Sequence, residues 1–256
     1  MQKRNKNIFI LITVSLMQVL LAKNVYAMHI SEGILPANWA AFWFIMALPF
    51  VAYGVRKLKE VAKDNLSIKP LAGFMAATVF VISCMPIPIP VAGSCSHPCG
   101  TGISGILLGP FISVLIAAAA LLIQALLLAH GGLSTLGANI FSMGVVGSFT
   151  GYLVFKGLRR LKIGLTTAGF VAGLLADWAT YLATSAELAA AISGGTPFMP
   201  LFTKIALAFI PTQLPLGILE GAMTAGIINL LYKKRPDLLL KIRLLQPEPA
   251  QPEEIT

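Results

Sequence analysis

Charge is scarce in this chain. Asp, Glu, Lys and Arg make up 11% of its 256 residues, against roughly a quarter in soluble globular domains, which excludes a water-soluble enzyme. The 57% of hydrophobic residues excludes a disordered regulator as well. Cysteine is almost missing: Cys84, Cys95 and Cys99 are too few and too unevenly spaced for a disulfide framework. Cys95 and Cys99, four apart, read either as small loop residues or as a pair able to bridge or to bind a soft metal. A G-x-x-x-x-G-K-[ST] loop is also missing, so ATP binding of the Walker kind is not a property of this chain.

What is present is apolar sequence in long runs. Apolar stretches lie at 38–55, 70–86, 101–129, 137–155, 163–185 and 199–232, each near the ~20 residues that cross a bilayer as a helix. The formal charge of +9 does not point to nucleic acid, because of where the cations sit. Beyond position 27, every Lys and Arg except Lys204 falls in the blocks 56–69, 156–162 and 233–243, the pattern of a topology signal. If all three blocks face the cytoplasm, each intervening stretch crosses twice. That requires 101–129 to break at Gly109-Pro110 into a short entering piece and a full returning helix.

The expected fold is therefore an all-α polytopic membrane protein with about seven transmembrane helices. Its amino terminus lies outside and its carboxyl terminus inside. Residues 28–240 form one helical domain, and 241–256, polar and rich in proline, form a disordered cytoplasmic tail.

Residues 1–27 read as a signal peptide. Lys3, Arg4 and Lys6 form a basic start, an apolar run follows at 8–22, and Val25-Tyr26-Ala27 precedes the expected cut. The alternative is an uncleaved anchor, for which the run is short. Cleavage makes Met28 the terminal residue and His29 the second. The amine of Met28, the amide nitrogen of His29 and its Nδ1 then close adjacent five- and six-membered rings on a metal. His97, the single imidazole of the proline- and glycine-rich loop at 86–102, is able to complete a square of nitrogens suited to Co(II), Ni(II) or Cu(II).

Three motifs carry a resemblance to a known family: Met28-His-Ile-Ser-Glu-Gly-Ile-Leu-Pro36, Gly93-Ser-Cys-Ser-His-Pro98 with Gly100-Thr-Gly102, and Leu126-Leu-Leu-Ala-His-Gly-Gly-Leu-Ser-Thr-Leu-Gly-Ala-Asn139. They resemble the signatures of CbiM, the substrate-capture subunit of energy-coupling-factor cobalt transporters, whose nickel relatives are called NikM. The likeness continues through Ala176-Asp-Trp-Ala-Thr-Tyr181 and Gly217-Ile-Leu-Glu-Gly221. It implies seven membrane helices and a metal held by Met28, His29 and His97 on the extracytoplasmic side of the inner membrane. It also implies three kinds of partner: a transmembrane coupling component, ATP-binding subunits and a small accessory membrane subunit. No prosthetic group is implied; Co(II), or Ni(II), is cargo, and cobalt would feed corrin synthesis. Cys99 departs from the pattern, standing where threonine is expected.

Other polar residues have two readings each. His130 either orients a ligand or caps its helix. Asn139 sits at the same outer level, where it is placed to hold the amino-terminal segment, and Ser96 lies beside the loop histidine. Glu32 either offsets a bound dication or caps a helix. Asp177, Gln213 and Glu220 lie inside spans, where polar groups are metal ligands or hydrogen-bonded supports. Ala72 and Ala76, four apart, form a face for a coupling subunit or for packing within the chain. A passive carrier, working without ATP, and a membrane enzyme using Asp177, Glu220 and His130 are the rival classes.

Overall fold

The computed structural model describes residues 29–84, 87–89, 94–242 and 244. The expected signal peptide, Met28 and the tail from 245 lie outside the described residues. Helices dominate: α1 (Ala37–Asp64), α2 (Ile68–Ser83), α3 (Thr101–Leu108), α4 (Pro110–Leu127), α5 (Leu136–Arg160), α6 (Leu165–Ala191), α7 (Phe198–Lys234) and the short α8 (Pro236–Lys241). Four of them, α1, α4, α5 and α7, are long and apolar enough to cross a membrane. Their outward residues, such as Ile45, Leu127 and Leu207, are exposed and apolar, as is Phe74 on α2, which is what a lipid-facing surface requires. The loop between α2 and α3 adds one small feature to the all-helical plan, a short antiparallel pair of β1 (Ile87–Ile89) and β2 (Ser94–Ser96).

The break at 109–110 is where the backbone chemistry demands it. Gly109 takes a φ of 82°, a conformation open to glycine, and Pro110 begins α4 where its missing N–H costs nothing. With eight residues, α3 is only about 12 Å long, whereas α4 returns over 18 residues. The loop residues 96–100 that lead into α3 are fully buried in the bundle, and their backbone groups need protein partners.

α1 overruns its apolar stretch by two turns, through the charged residues up to Asp64, because a polar helix end is stable in water and Arg56 pairs with Glu60 one turn on. α8 carries the chain to Lys241, and Ile242 and Leu244 still pack against the core. A cavity of about 1100 Å³ opens between Asp64, Gly109, Lys156, Arg159 and Lys241. It gathers residues of all three basic blocks at one end of the bundle.

In lipid, helices associate through close packing and not through the hydrophobic effect, so glycine contacts matter. A Cβ on Gly137 would stand 2.5 Å from the backbone nitrogen of Phe44 and 2.7 Å from its Cα. Gly137→Ala should force α1 and α5 apart and destabilise the protein by roughly 1–3 kcal/mol. A lower melting temperature in detergent is the expected result; an unchanged melt contradicts the contact.

Candidate metal centre

At the end opposite the basic cavity, three chain segments converge: the stretch before α1, the loop before α3 and the turn between α4 and α5. They bring His29, His97 and His130 together, with one ring nitrogen of each within 4.8 Å of the others. Ring centroids are 4.7 Å apart for His29 and His97, 4.8 Å for His29 and His130, and 5.2 Å for His97 and His130. His29 and His97 are buried; His130 is half-buried as a residue but its Nε2 is not reached by solvent.

Hydrogen bonds select the nitrogen that His29 and His97 present. Ser83 Oγ donates to the Val79 carbonyl at 2.6 Å and so accepts from Gln124 Nε2 at 2.7 Å. That orients the Gln124 amide with Oε1 toward His29 Nε2, 3.0 Å away, which must then carry the proton. The lone pair of His29 lies on Nδ1, the nitrogen that closes a six-membered chelate ring with its own amide. His97 Nδ1 donates to the Pro98 carbonyl at 2.9 Å, which puts its lone pair on Nε2. The chain is turned at this point by Ala129, left-handed with φ 49°, and the His130 backbone N–H donates to the Gln124 backbone carbonyl at 3.2 Å. Gln124 and Ser83 were not singled out from the sequence, although Gln124 is the one carboxamide in an otherwise largely apolar helix.

The segment around His29 is clamped from α5. Ile30 N–H donates to Asn139 Oδ1 at 2.8 Å, and Asn139 Nδ2 donates to the Ile30 carbonyl at 3.2 Å. Thr135 Oγ also donates to that carbonyl. Immediately after Asn139 the helix adopts a π-helical stretch, Ile140–Gly147, a widening found often at functional sites. Glu32 is exposed, and its Oε2 accepts the Ser134 N–H at 3.0 Å; hydrogen bonding to Ser134, through its side chain first and then its backbone, lowers the Glu32 pKa.

The loop carrying His97 is held from α6 and α7. Gln213 Nε2 donates to Ser96 Oγ at 2.6 Å, and Ser96 Oγ donates to Thr212 at 3.0 Å. Tyr181 OH donates to the His97 carbonyl at 3.0 Å. The Glu220 carboxylate accepts the N–H groups of Cys99 at 2.5 Å and Gly100 at 3.0 Å. Asp177 lies beside the Cys99 thiol, with Oδ1 3.8 Å from Sγ. Asp177, Gln213 and Glu220 therefore surround the loop. Ala72 is buried and Ala76 packs against the chain's own core, so that face is internal; the surface α2 leaves open carries Phe74 and Val81. The electrostatics of the histidine group follow from burial. Desolvation lowers the pKa of His29 well below 6.5 and that of His97 to about 3, and lowers that of His130 in the same direction. All three imidazoles are thus neutral at physiological pH, the form that binds metal.

Fold and site together define a helical membrane protein with three neutral imidazoles gathered at one end. Residues 29–238 match the family described as CbiM, cobalt uptake substrate-specific transmembrane region, and the chain belongs to that family. It is 66% identical over 224 residues to the cobalt transport protein CbiM of Geobacter sulfurreducens, covering 88% of this chain and 65% of that protein. It is 52% identical over 223 residues to the protein of the same description from Sorangium cellulosum, covering 87% of this chain and 99% of that one. The crystal structure of a transition metal transporter superposes with a TM-score of 0.73 at 28% identity, covering 86% of this chain and all (100%) of the other.

Proposed function

We propose that this chain captures cobalt(II) and carries it across the inner membrane as the substrate-specific subunit of an ATP-driven uptake system. Nickel is the alternative cargo of the same chemistry; the relatives' names favour cobalt, which the cell would use for corrin synthesis. The observation that carries the reading is the convergence of three imidazoles on the residue expected to stand second in the processed chain. The Met28 amine, the His29 amide and Nδ1, and His97 Nε2 make the donor square, and His130 adds a further nitrogen. Asn139 holds the amino-terminal segment in register; Ser96, Gln213, Glu220 and Asp177 support the loop; Glu32 braces the turn after α4. With all basic blocks at the far end, the site faces the extracytoplasmic side by the positive-inside rule.

A transmembrane coupling component, ATP-binding subunits and a small accessory subunit supply the energy. An exposed face of α2 with Phe74 and Val81 suits contact with such a membrane partner better than the internal Ala72 and Ala76 do. The alternative of a passive carrier makes a different forecast: uptake should stop on ATP depletion under the first reading and persist under the second. The direct test is metal analysis of the purified processed protein beside His97→Ala and a variant with one extra residue before Met28. The extension shifts His29 to third place and changes both chelate rings. Full cobalt retention by either variant would overturn the ligand set.

A further inference from the structure

One buried cluster is not explained by holding the loop. Glu220 has that task, taking two backbone N–H groups, and Asp177 backs it by a carboxyl–carboxyl contact, but the Cys99 thiol takes no part in it. One donor atom from each of Cys99, Asp177 and Glu220 lies within 4.8 Å of the others, all three residues buried. Asp177 is fully buried, and its carboxyl lies within hydrogen-bonding reach of the Glu220 carboxyl. A thiol at 3.8 Å is a weak partner for its Oδ1. Two buried carboxyls in contact cannot both carry charge unless a proton or a cation lies between them, and the nearby thiol adds a soft donor suited to a cation.

From this geometry we propose that Cys99, Asp177 and Glu220 form a second, internal site that receives a late first-row dication after it leaves the histidine group. The proposal rests on the metal-uptake reading above for its direction of flow, but not for the site itself. Ligand bonds of about 2.0–2.3 Å place two ligands of one ion roughly 3–4 Å apart, so the three side chains need to close in by about 1 Å. Thiolate with carboxylates suits Co(II) or Zn(II). It holds Co(II) or Ni(II) less firmly than a square of nitrogens, as onward release requires.

The position is that of a relay. Cys99 is two residues from His97 on the same buried loop, and Asp177 is one helical turn from Tyr181, which bonds the His97 carbonyl. On the other side the Thr101 hydroxyl is buried without a partner among the described residues, followed along α3 and its neighbours by Ser104, Ser113 and Ser148, whose hydroxyls bond one another. α3 ends at Leu108 on the wall of the basic cavity. Polar groups thus extend from the histidines past Asp177 as far as Ser104, Ser113 and Ser148, short of the apolar residues Ile106 to Leu108 that line the cavity.

The test is titration of the full processed chain, reduced and in detergent, with cobalt chloride alone, followed by absorption and by bound metal per chain. The wild type should take a second equivalent that brings a sulfur-to-cobalt charge-transfer band in the near ultraviolet. Cys99→Ser should lose the band and Asp177→Asn the second equivalent; retention of the first equivalent in both shows that they are folded. Cys84→Ser and Cys95→Ser should keep the band. A wild type that saturates at one equivalent without the band overturns the proposal, as does a band that follows Cys84 or Cys95. So does a second equivalent that survives both Cys99→Ser and Asp177→Asn. Failure of the capture reading shows differently: His97→Ala would then leave the first equivalent in place, while the thiolate band still responds to Cys99.

Discussion

Asn139→Leu should strip the protein of retained cobalt without removing a single proposed ligand. The substitution keeps the side chain's approximate volume but leaves the buried Ile30 N–H without its acceptor and takes one donor from the Ile30 carbonyl. Thr135 still serves the carbonyl, so the main loss is one unsatisfied donor and one neutral bond, roughly 2–4 kcal/mol together. Since His29 adjoins Ile30, that free energy comes out of the metal-competent arrangement and corresponds to an affinity lower by about 30-fold to 1,000-fold. Asn139→Asp, which preserves the acceptor for Ile30 N–H, should recover a large part of it. Isothermal titration with cobalt on the processed proteins measures both; an affinity within a factor of about two of the wild type for the leucine variant would show that the clamp is not coupled to binding.

How much of this was readable beforehand depends on the range of the physics involved. The break at Gly109-Pro110 is local: positive φ and a missing N–H sit in adjacent residues, and no neighbour can change that. The gathering of 56–69, 156–162 and 233–243 around one cavity follows from topology, which needs only the count of crossings. The meeting of His29 with His97, and of Asn139 with the amino-terminal segment, was within reach because all sit at span ends on one side.

Rotational detail was out of reach. His130 joins the group because Ala129 adopts a left-handed turn, which alanine does not advertise. Gln124 faces His29 because α4 presents that side to the histidine group, and a helix apolar on nearly every side has no polar stripe to reveal its rotation. For the same reason Ala72 and Ala76 read equally well as an outer or an inner face; packing within the chain decides, and Phe74 is left outward. The convergence of Asp177 and Glu220 on residues 99 and 100 reflects how α6 lies on α7. Thr224 fits against Gly173 there, and a Cβ at that glycine would collide with it.

Acid should destabilise the metal-free protein well before it protonates the buried imidazoles, and this separates the two kinds of proposed ligand. His29 and His97 lie outside the spanning helices, and burial lowers both pKa values, that of His97 from 6.5 to about 3. Between those pH values the unfolded chain carries protons that the folded chain does not. The associated stability is fully present above pH ~6.5 and is lost as pH falls toward about 3, at up to about 1.4 kcal/mol per pH unit for each such histidine. Melting temperatures of the apo protein should therefore fall steadily from pH 6.5 to 4.5. Cobalt affinity has a different onset. Within the fold the imidazoles stay neutral over this range, so they compete little with protons near neutrality, whereas a terminal amine with a pKa of about 8 and a metal-bound amide do. Retention should consequently decline already between pH 7.5 and 6, ahead of the fall in stability. Retention that stays level until the apo melt collapses would assign the ion to the imidazoles alone and remove Met28 from the ligand set.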